Sequence, residues 1–243
     1  MDRDVYRRLD ALEGQHWWFA ARRSILRSAI ARYRPRAGDL RLLEAGCGTG
    51  GNLALLSEFG AVDAFELDDE ARAVAIGKGA ILVKKGMLPD DVPFAPGGYD
   101  IVAAFDVIEH VEEDVASLKS LGERLAPGGR LLMTVPALPW LWSGHDEAHH
   151  HYRRYVRKEV EEVLRQAGLK PVAVTYYNTL LFPLVVGTRF FKKLLGSHAT
   201  PDDTMPGPAV NAMLRSIFAA ERHLIGRLRM PIGVSLLAVA ERA

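Results

Sequence analysis

The chain has 243 residues, of which 49% are hydrophobic and 25% are charged, and its formal net charge is +1. This composition fits a soluble globular protein with a sizeable core, and the nearly balanced charge provides no basic field that would attract nucleic acid. The single cysteine excludes an internal disulfide, which fits a reducing compartment, and no apolar run reaches the roughly 20 residues that span a bilayer.

The N-terminal part of the chain predicts a helix packed before the main fold. Its first residues, MDRDVYRRLD, are charged and lack the apolar segment of a secretory signal, so a cytoplasmic protein is expected. Residues 16–34 predict a helix with an aromatic start, and Pro35 ends it. Residues 1–38 are therefore interpreted as an N-terminal helical cap.

Strands and helices then alternate along the chain. Short apolar runs predict strands at residues 40–45, 61–66, 80–84, 99–105, 130–135 and 171–177. Helices are predicted between them at residues 52–59, 69–78, 111–125 and 157–166. This alternation favours an α/β fold with a doubly wound, mostly parallel sheet, and residues 39–178 are interpreted as its core.

The tail of the chain has a different pattern. Residues 179–230 are interpreted as an apolar helical insertion, with a predicted loop at 196–208 and an apolar stripe at helical spacing after it. Residues 231–243 are interpreted as the segment that returns to the core, with a closing strand at 234–240.

The sequence LLEAGCGTGG places Gly46, Gly48 and Gly51 after the first predicted strand, at the spacing of a dinucleotide fingerprint. Glu66 ends the second predicted strand, where an acid can accept hydrogen bonds from ribose hydroxyls. Both features suit a nicotinamide dinucleotide or any other ribose-bearing cofactor. Glu44, just before the glycines, would repel a pyrophosphate and could instead hold a cationic amino group.

Four pieces, in this order, resemble the class I S-adenosylmethionine-dependent methyltransferases, in particular a bacterial subset of type 11 and type 12. They are E-x-GCGTG at 44–50, the acid that ends strand two, YD-x-V-x-x-FDVIEHV at 99–111, and L-x-PGG at 125–129. The resemblance implies a Rossmann-like sheet of seven strands with an antiparallel last strand, and an enzyme that transfers a methyl group from S-adenosylmethionine. The alternatives are a non-catalytic subunit that binds this cofactor, a nicotinamide-dependent oxidoreductase, and a sheet whose glycines serve packing alone.

The resemblance also implies a set of cofactor-binding residues. They are Trp18, Arg22, Arg23, Glu44, Gly46, Cys47, Gly48, Glu66, Leu67, Met87, Phe105 and Asp106.

Within this set, the glycine turn would face the methionine half of the cofactor, Glu66 the ribose and Leu67 the adenine. Met87 stands near a position where many relatives have an aspartate, so the backbone would share the adenine contact. In HWWFAARR, the aromatic residues would cap the cleft, and Arg22 or Arg23 would pair with the methionine carboxylate. Cys47 is interpreted as a small residue in a tight loop, with no base to activate it.

The sequence SGHDEAHHHYRRY follows the fifth predicted strand and contains half of the chain's 8 histidines. A hydroxyl or ammonium acceptor must lose a proton, and imidazole suits that task. We expect His110 and His145 to be catalytic, and Asp146, His149 and Arg154 to bind the acceptor. The alternatives are a surface cluster, a metal site at His145, Asp146 and His149, and a pocket that needs no base. No metal ion is expected.

The apolar stretch at 179–195, with Arg189, Lys192 and Lys193 at its end, leaves four alternatives open. It could lie peripherally on an anionic membrane, wall an acceptor pocket, form a homodimer seam, or pack as core or lid. MPIGVSLLAVAER and HHYRRY resemble methyltransferases found with polyprenyl-glycosyl and polysaccharide assembly enzymes. That resemblance implies a glycan or lipid-linked acceptor. The expected reaction is therefore methyl transfer to a small-molecule, glycan or lipid-linked acceptor, at oxygen rather than nitrogen.

Overall fold

The computed structural model describes residues 10–194 and 204–243, without the side chains of residues 191–194. The strands are β1 (Leu40–Ala45), β2 (Gly60–Glu66), β3 (Leu82–Lys85), β4 (Tyr99–Phe105), β5 (Leu125–Pro136), β6 (Leu169–Tyr177) and β7 (Ser235–Arg242). The helices are α1 (Trp17–Tyr33), α2 (Leu53–Ser57), α3 (Asp69–Ala75), α4 (Asp114–Glu123), α5 (Gly144–Ala148), α6 (Arg157–Gln166), α7 (Phe182–Leu194) and α8 (Pro208–Ala220). Short 3₁₀ turns lie at Ile108–His110, Pro139–Leu141 and Glu221–His223.

The strands form one seven-stranded sheet in the order β3-β2-β1-β4-β5-β7-β6. The strands from β3 to β5 are parallel to one another, and β7 runs antiparallel to both β5 and β6. The predicted Rossmann-like sheet with an antiparallel last strand is therefore confirmed. Its order reverses between β1 and β4, where the carboxyl ends of neighbouring strands leave a crevice for a ligand.

Helices cover both faces of the sheet. On one face, α4 and α6 pack Leu118, Leu121 and Leu164 against the strands. On the other face, α1 contributes Ile25 and α8 contributes Phe218 to a second cluster. Near-continuous apolar strands are required here, since a parallel sheet is buried on both sides.

The N-terminal helix α1 packs on this second face of the sheet. Ile25 and Ile30 of α1 are fully buried against the sheet, and the first two turns of the helix reach the cleft. Asn211 of α8 accepts a hydrogen bond from the Trp17 amide at 2.8 Å and donates one to the Gln15 carbonyl at 2.9 Å. The first and third predicted segments thus pack together on the core.

Some predicted boundaries are displaced. β5 begins at Leu125 rather than Arg130, because Leu125 already pairs with Tyr99 before the register shifts. The helix predicted over residues 111–125 spans Asp114–Glu123, and a 3₁₀ turn precedes it. Residues 196–203 of the predicted loop lie outside the described residues, and α8 begins at Pro208.

The tail segments of the described chain include α7 and α8, both apolar along much of their length. Among the described residues, no helix combines the length and the apolarity that crossing a bilayer requires.

Candidate active site

A cleft of about 1580 Å³ opens at the carboxyl ends of the parallel strands. The glycine turn after β1, the end of β2 and the end of β4 form one side of it. The first turn of α1, the start of α7 and residues 145–154 form the other side. The cleft therefore lies at the position where the topology predicts a ligand.

The glycine turn has little freedom to change shape. Gly46 and Gly48 adopt φ values of 59° and 54°, which strongly favour glycine. A Cβ on Gly46 would lie 2.9 Å from the methyl groups of Val107, so this position also requires glycine for space. The Cys47 amide donates to the Phe65 carbonyl at 3.1 Å, which fastens the turn to β2.

The Glu66 carboxylate, at the end of β2, holds the turn in place. One oxygen accepts a hydrogen bond from the Gly48 amide at 2.8 Å, and the other accepts one from the Asp68 amide at 3.0 Å. Leu67 and Met87 line the cleft nearby with 53% and 47% of their surfaces exposed. Two exposed apolar side chains beside a buried carboxylate suit a ligand with a flat apolar ring and polar hydroxyls.

Glu44 lies beneath the turn and does not line the cleft. It is 1% exposed, and its Oε1 accepts a hydrogen bond from Asn52 at 2.9 Å. Its Oε2 has no hydrogen-bond partner among the described residues. Burial raises the pKa of Glu44 to about 8. Below that pH the carboxyl group is protonated, and the unpaired Oε2 can then donate its hydrogen to a bound group or to a water molecule.

Arg22 reaches across the cleft floor from α1 to the end of β4. Its Nη2 lies 2.6 Å from the Asp106 carboxylate and donates to the Thr134 hydroxyl at 3.1 Å. The guanidinium also lies over the rings of Trp18 and Phe105, at 5.1 and 5.7 Å from their centroids. Its Nε has no partner among the described residues.

The Asp106 backbone is held in an unusual conformation at this point. Its φ of 57° is uncommon outside glycine. Such backbone conformations persist where several surrounding contacts hold them in place. Here the ion pair with Arg22 and a hydrogen bond of 3.0 Å from the Thr134 hydroxyl both fix the Asp106 side chain. The end of β4 is therefore a rigid wall of the cleft.

Glu13 is a cleft residue that sequence reasoning missed. Its carboxylate accepts a hydrogen bond from the Thr49 hydroxyl at 3.0 Å, and its backbone carbonyl accepts one from Arg23 at 2.5 Å. Burial raises the pKa of Glu13 above its usual range. No sequence signal marks it, because it precedes α1 in a segment without hydrophobic periodicity.

Cys47 is a buried part of the same turn. Its side chain is 6% exposed, and burial raises the pKa of its thiol well above the usual range. Because the thiolate is the reactive form, a raised pKa supports the interpretation of a small residue in a tight loop.

Histidine rings cluster on the far side of the cleft. The ring centroids of His110 and His151 lie 4.7 Å apart, and those of His145 and His149 lie 4.2 Å apart. The centroids of His145 and His151 are 6.2 Å apart, so the two pairs adjoin. Burial and the neighbouring imidazoles lower the pKa of His110 to about 3, which leaves this ring neutral and weakly basic.

Asp146 is the buried centre of a network behind these rings. Its Oδ1 lies 3.0 Å from His151 Nδ1 and accepts a hydrogen bond from Arg154 Nε at 2.7 Å, while Oδ2 accepts one from the Ser143 amide at 2.9 Å. Arg154 also donates to the Ala137 carbonyl at 2.9 Å. Burial would raise the pKa of Asp146, but His151 and Arg154 outweigh it and hold the pKa well below its usual range.

Most of the predicted site residues come together in this one cleft. The residues that line it are Trp18, Arg22, Arg23, Gly46, Cys47, Gly48, Glu66, Leu67, Met87, Phe105, Asp106, His110, His145, His149 and Arg154. Glu44 and Asp146 do not line it, and Asp146 acts on the cleft through His151 and Arg154. Glu109 and His151 line the cleft although neither was among the predicted site residues.

Comparison with protein families gives a match over most of the chain. A family model described as "Methyltransferase domain" matches residues 18–174. A ubiquinone biosynthesis O-methyltransferase of Cereibacter sphaeroides is 26% identical over 152 residues, which are 55% of this chain and 61% of that protein. A probable S-adenosylmethionine-dependent methyltransferase of Mycolicibacterium smegmatis is 27% identical over 169 residues, 68% of this chain and 63% of that protein. The chain thus spans less than two thirds of the length of these curated relatives.

Solved structures share the fold at lower identity. A chain from the complex of the Haloferax volcanii Trm112 methyltransferase activator with a methyltransferase matches with a TM-score of 0.64, 19% identity, and coverage of 98% of this chain and 94% of that one. A geranyl diphosphate methyltransferase solved with S-adenosylmethionine matches with a TM-score of 0.60, 16% identity, and coverage of 92% and 85%. At these identities the likeness concerns the fold alone.

The Asp146 network generates a prediction about stability. Replacing Asp146 with Asn leaves Arg154 buried without a counter-charge, so the free energy of unfolding at pH 7 should fall by about 3 kcal/mol. Because the folded pKa of Asp146 lies below its unfolded value, this carboxylate stabilises the fold above about pH 4 and less as the pH falls. Urea unfolding at pH 7 and pH 3.5 should therefore give a smaller difference between wild type and variant at the acidic pH.

Glu147→Gln is the matched control, because Glu147 is an exposed acid on the same helix. It should change the free energy of unfolding by less than about 0.5 kcal/mol. Equal effects of the two substitutions would contradict a structural role for the Asp146 network.

Proposed function

The chain belongs to the methyltransferase domain family, and from that premise we propose that it transfers a methyl group from S-adenosylmethionine to an oxygen of a small-molecule acceptor. The observation that carries the proposal is the Glu66 carboxylate fastened to the glycine turn at the mouth of an acid-rich cleft. The names of the Cereibacter and Mycolicibacterium relatives support the cofactor and the oxygen acceptor.

The hydrogen bonds of the glycine turn argue against a nicotinamide dinucleotide. Such a turn binds a pyrophosphate through free backbone amides. Here the Cys47 amide donates to Phe65, the Gly48 amide to the Glu66 carboxylate, and the Gly50 amide to the Cys47 carbonyl at 2.9 Å. These three amides are committed within the protein, and the helix that follows has only 5 residues.

The charge of the cleft supports a cationic cofactor. Among the described residues that line it, 9 carboxylates face 4 guanidinium groups. The acids are Glu13, Glu66, Asp68, Asp69, Glu70, Asp106, Glu109, Glu112 and Glu113. Such a lining attracts a sulfonium and an ammonium, and it repels a diphosphate.

The residues present fit S-adenosylmethionine. Glu66 would accept hydrogen bonds from the ribose hydroxyls, and Leu67 and Met87 would lie against the adenine. A Cβ on Gly48 would meet nothing within 4 Å, so the turn leaves open space for the methionine half. The unpaired Nε of Arg22 is a donor for the methionine carboxylate, and Arg22 is therefore preferred to Arg23.

The chemistry of the reaction makes modest demands on the protein. When bound, S-adenosylmethionine supplies a methyl group on a positively charged sulfur, which leaves as a neutral thioether. The protein has to hold the acceptor in line and to exclude water. A hydroxyl acceptor must also lose its proton, and of the two predicted bases we favour His145, because His110 is too weakly basic near neutral pH.

The apolar part of the cleft lining indicates the kind of acceptor. It includes Trp17, Leu181, Leu184, Val185 and Leu214. Apolar side chains in the same cleft as the histidines suit an acceptor with an apolar body and one hydroxyl group. His149 and Arg154 would contact this acceptor, while Asp146 would keep Arg154 in position.

The size of the cleft supports catalysis rather than regulation alone. A subunit that only binds the cofactor would need no further space, whereas this cleft, at about 1580 Å³, exceeds the roughly 300–1,000 Å³ of a single ligand pocket. A second molecule can therefore fit beside the cofactor.

Calorimetric titration tests the cofactor. Wild-type protein should bind S-adenosylmethionine and its demethylated product, and NADH should show no micromolar binding. Glu66→Gln should weaken the binding of S-adenosylmethionine and of its demethylated product by about 10- to 100-fold, because it removes charge-assisted hydrogen bonds to the ribose. Glu112→Gln is the control, because Glu112 is an exposed acid that lines the cleft beside the histidines. Micromolar binding of NADH alone would contradict the proposal.

A second titration distinguishes the two arginines. Arg22→Lys should weaken the binding of S-adenosylmethionine by about 10-fold or more, because lysine cannot replace the planar N–H donors of the guanidinium group. It should leave the affinity for 5′-methylthioadenosine unchanged, since that molecule lacks the methionine carboxylate. Arg23→Lys should change neither affinity. An equal loss for both molecules in Arg22→Lys would indicate a structural role only, and a selective loss in Arg23→Lys would reverse the assignment.

A lipid-linked acceptor is favoured by one specific observation. Leu184 and Phe190 of α7 expose 51% and 65% of their surfaces, and Trp140, whose ring centroid lies 6.0 Å from that of Phe182 at the start of α7, exposes 61%. Lys192 and Lys193 follow in the sequence, and an apolar surface with adjacent basic residues suits an anionic bilayer. The dimer seam predicted for the same segment stays a prediction.

Vesicle flotation tests this surface. The wild type should float with vesicles that contain anionic lipid, and Phe190→Ser should reduce the floating fraction several-fold. Ile81→Ser is the control, because Ile81 is 74% exposed beside β3. Absence of flotation by the wild type, or an equal loss in both variants, would rule out membrane contact through α7.

A further inference from the structure

Three side chains in the cleft converge without contacting the glycine turn. Glu109, His110 and His151 each place one potential ligand atom within 4.8 Å of the other two. Glu109 and His110 lie on the 3₁₀ turn after β4, and His151 follows α5. The Tyr152 amide donates to the Glu109 carbonyl at 2.8 Å, so the two segments are held together by backbone.

The Glu109 carboxylate is the feature that the methyl-transfer chemistry leaves unexplained. Its side chain is fully buried, and neither oxygen has a hydrogen-bond partner in another described residue. An unpaired carboxylate in such a place is costly unless a cation or a donor accompanies it. The guanidinium groups of Arg22 and Arg154 are bonded to Asp106 and Asp146 instead.

Both imidazoles already have the outer partner that metal-binding histidines use. His151 Nδ1 lies 3.0 Å from the Asp146 carboxylate, which leaves Nε2 as the nitrogen that can bind a metal. The His149 carbonyl is a hydrogen-bond partner of His110. Oxygen acceptors in these positions fix the tautomer and the orientation of a ligand histidine.

We propose that Glu109, His110 and His151 bind one divalent metal ion of the zinc class and leave a coordination position open towards the acceptor. Two imidazoles and one carboxylate are typical of catalytic zinc and of related transition metals, whereas magnesium and calcium prefer all-oxygen sites. The site differs from the alternative at His145, Asp146 and His149, because Asp146 is committed to His151, Arg154 and Ser143.

Binding requires only small movements of the side chains. Zinc bonds of about 2.0–2.1 Å in a tetrahedral site bring ligand atoms to about 3.3 Å from one another. The present separations of up to 4.8 Å therefore have to close by as much as about 1.5 Å, which side-chain rotation can provide.

The metal ion has a role that rests on the proposed function. A hydroxyl oxygen bound at the open position becomes more acidic, as water does on zinc. Its O–H bond breaks, the electron pair stays on the metal-bound oxygen, and the proton passes to His145 or to solvent. The acceptor is then a nucleophile at neutral pH, and an oxygen acceptor is favoured over nitrogen.

Metal binding can be measured without any methyl transfer. The full chain, treated with chelator and then titrated calorimetrically with Zn²⁺, should bind one equivalent. Glu109→Gln and His151→Gln should each weaken that binding by more than about 100-fold. Losing only the hydrogen-bond partner of a ligand weakens metal binding by up to about 100-fold, and these substitutions remove the ligand itself. Co²⁺ added in place of Zn²⁺ should give visible absorption bands in the wild type that both variants lack.

His150→Asn is the matched control. It removes an imidazole from the same loop, and asparagine tolerates the φ of 55° at this position. Zinc affinity should stay within about twofold of the wild type. Titration of each variant with S-adenosylmethionine reports folding and the cofactor site separately, so failure of the metal proposal and failure of the proposed function give different results.

Two results would overturn the proposal. One is the absence of stoichiometric Zn²⁺ binding to wild-type protein that binds S-adenosylmethionine. The other is stoichiometric binding that Glu109→Gln and His151→Gln both retain with unchanged cobalt bands, since the metal would then lie elsewhere in the chain.

Discussion

The Glu66 carboxylate joins the end of β2 to the glycine turn after β1, and the shape of the cleft depends on this contact. The carboxylate accepts a hydrogen bond from the Gly48 amide, which holds the turn closed. It accepts another from the Asp68 amide, which fixes the start of α3. The same contact uses an amide that a phosphate would otherwise need. One carboxylate thereby shapes the site and determines the charge of the ligand that fits it.

Two ion pairs, each with a buried arginine, extend this arrangement to the rest of the cleft. Arg22 and Asp106 connect α1 to β4, so the N-terminal helix reaches the ligand side of the sheet. Asp146 and Arg154 support the segment that carries His151. Buried pairs of this kind are weak contributors to net stability, but breaking one is costly, which favours a single arrangement of the cleft. The side of the cleft that holds the glycine turn and the side that holds the histidines are thus positioned by separate networks.

Much of the fold follows from local sequence pattern. Alternating apolar strands and helices were enough to predict a mostly parallel α/β sheet, because each signal lies within a few residues. The antiparallel last strand was expected from the family resemblance. The start of β5 was mispredicted, since the Leu125 pairing with Tyr99 is a contact between distant segments. Glu13 was missed because its partners are chosen by packing and its neighbours in sequence carry no motif. The contact between Asp146 and His151 was missed although their segment was recognised, because only the fold of that segment determines which of its side chains pair.

The most direct measurement is a crystal structure of the protein grown with the demethylated product of S-adenosylmethionine. The ribose hydroxyls should lie within hydrogen-bond distance of the Glu66 carboxylate, with the adenine between Leu67 and Met87 and the sulfur directed towards the histidines. A nucleoside bound away from Glu66, or a cleft closed by its own side chains under saturating ligand, would contradict the assignment of this cleft to methyl transfer.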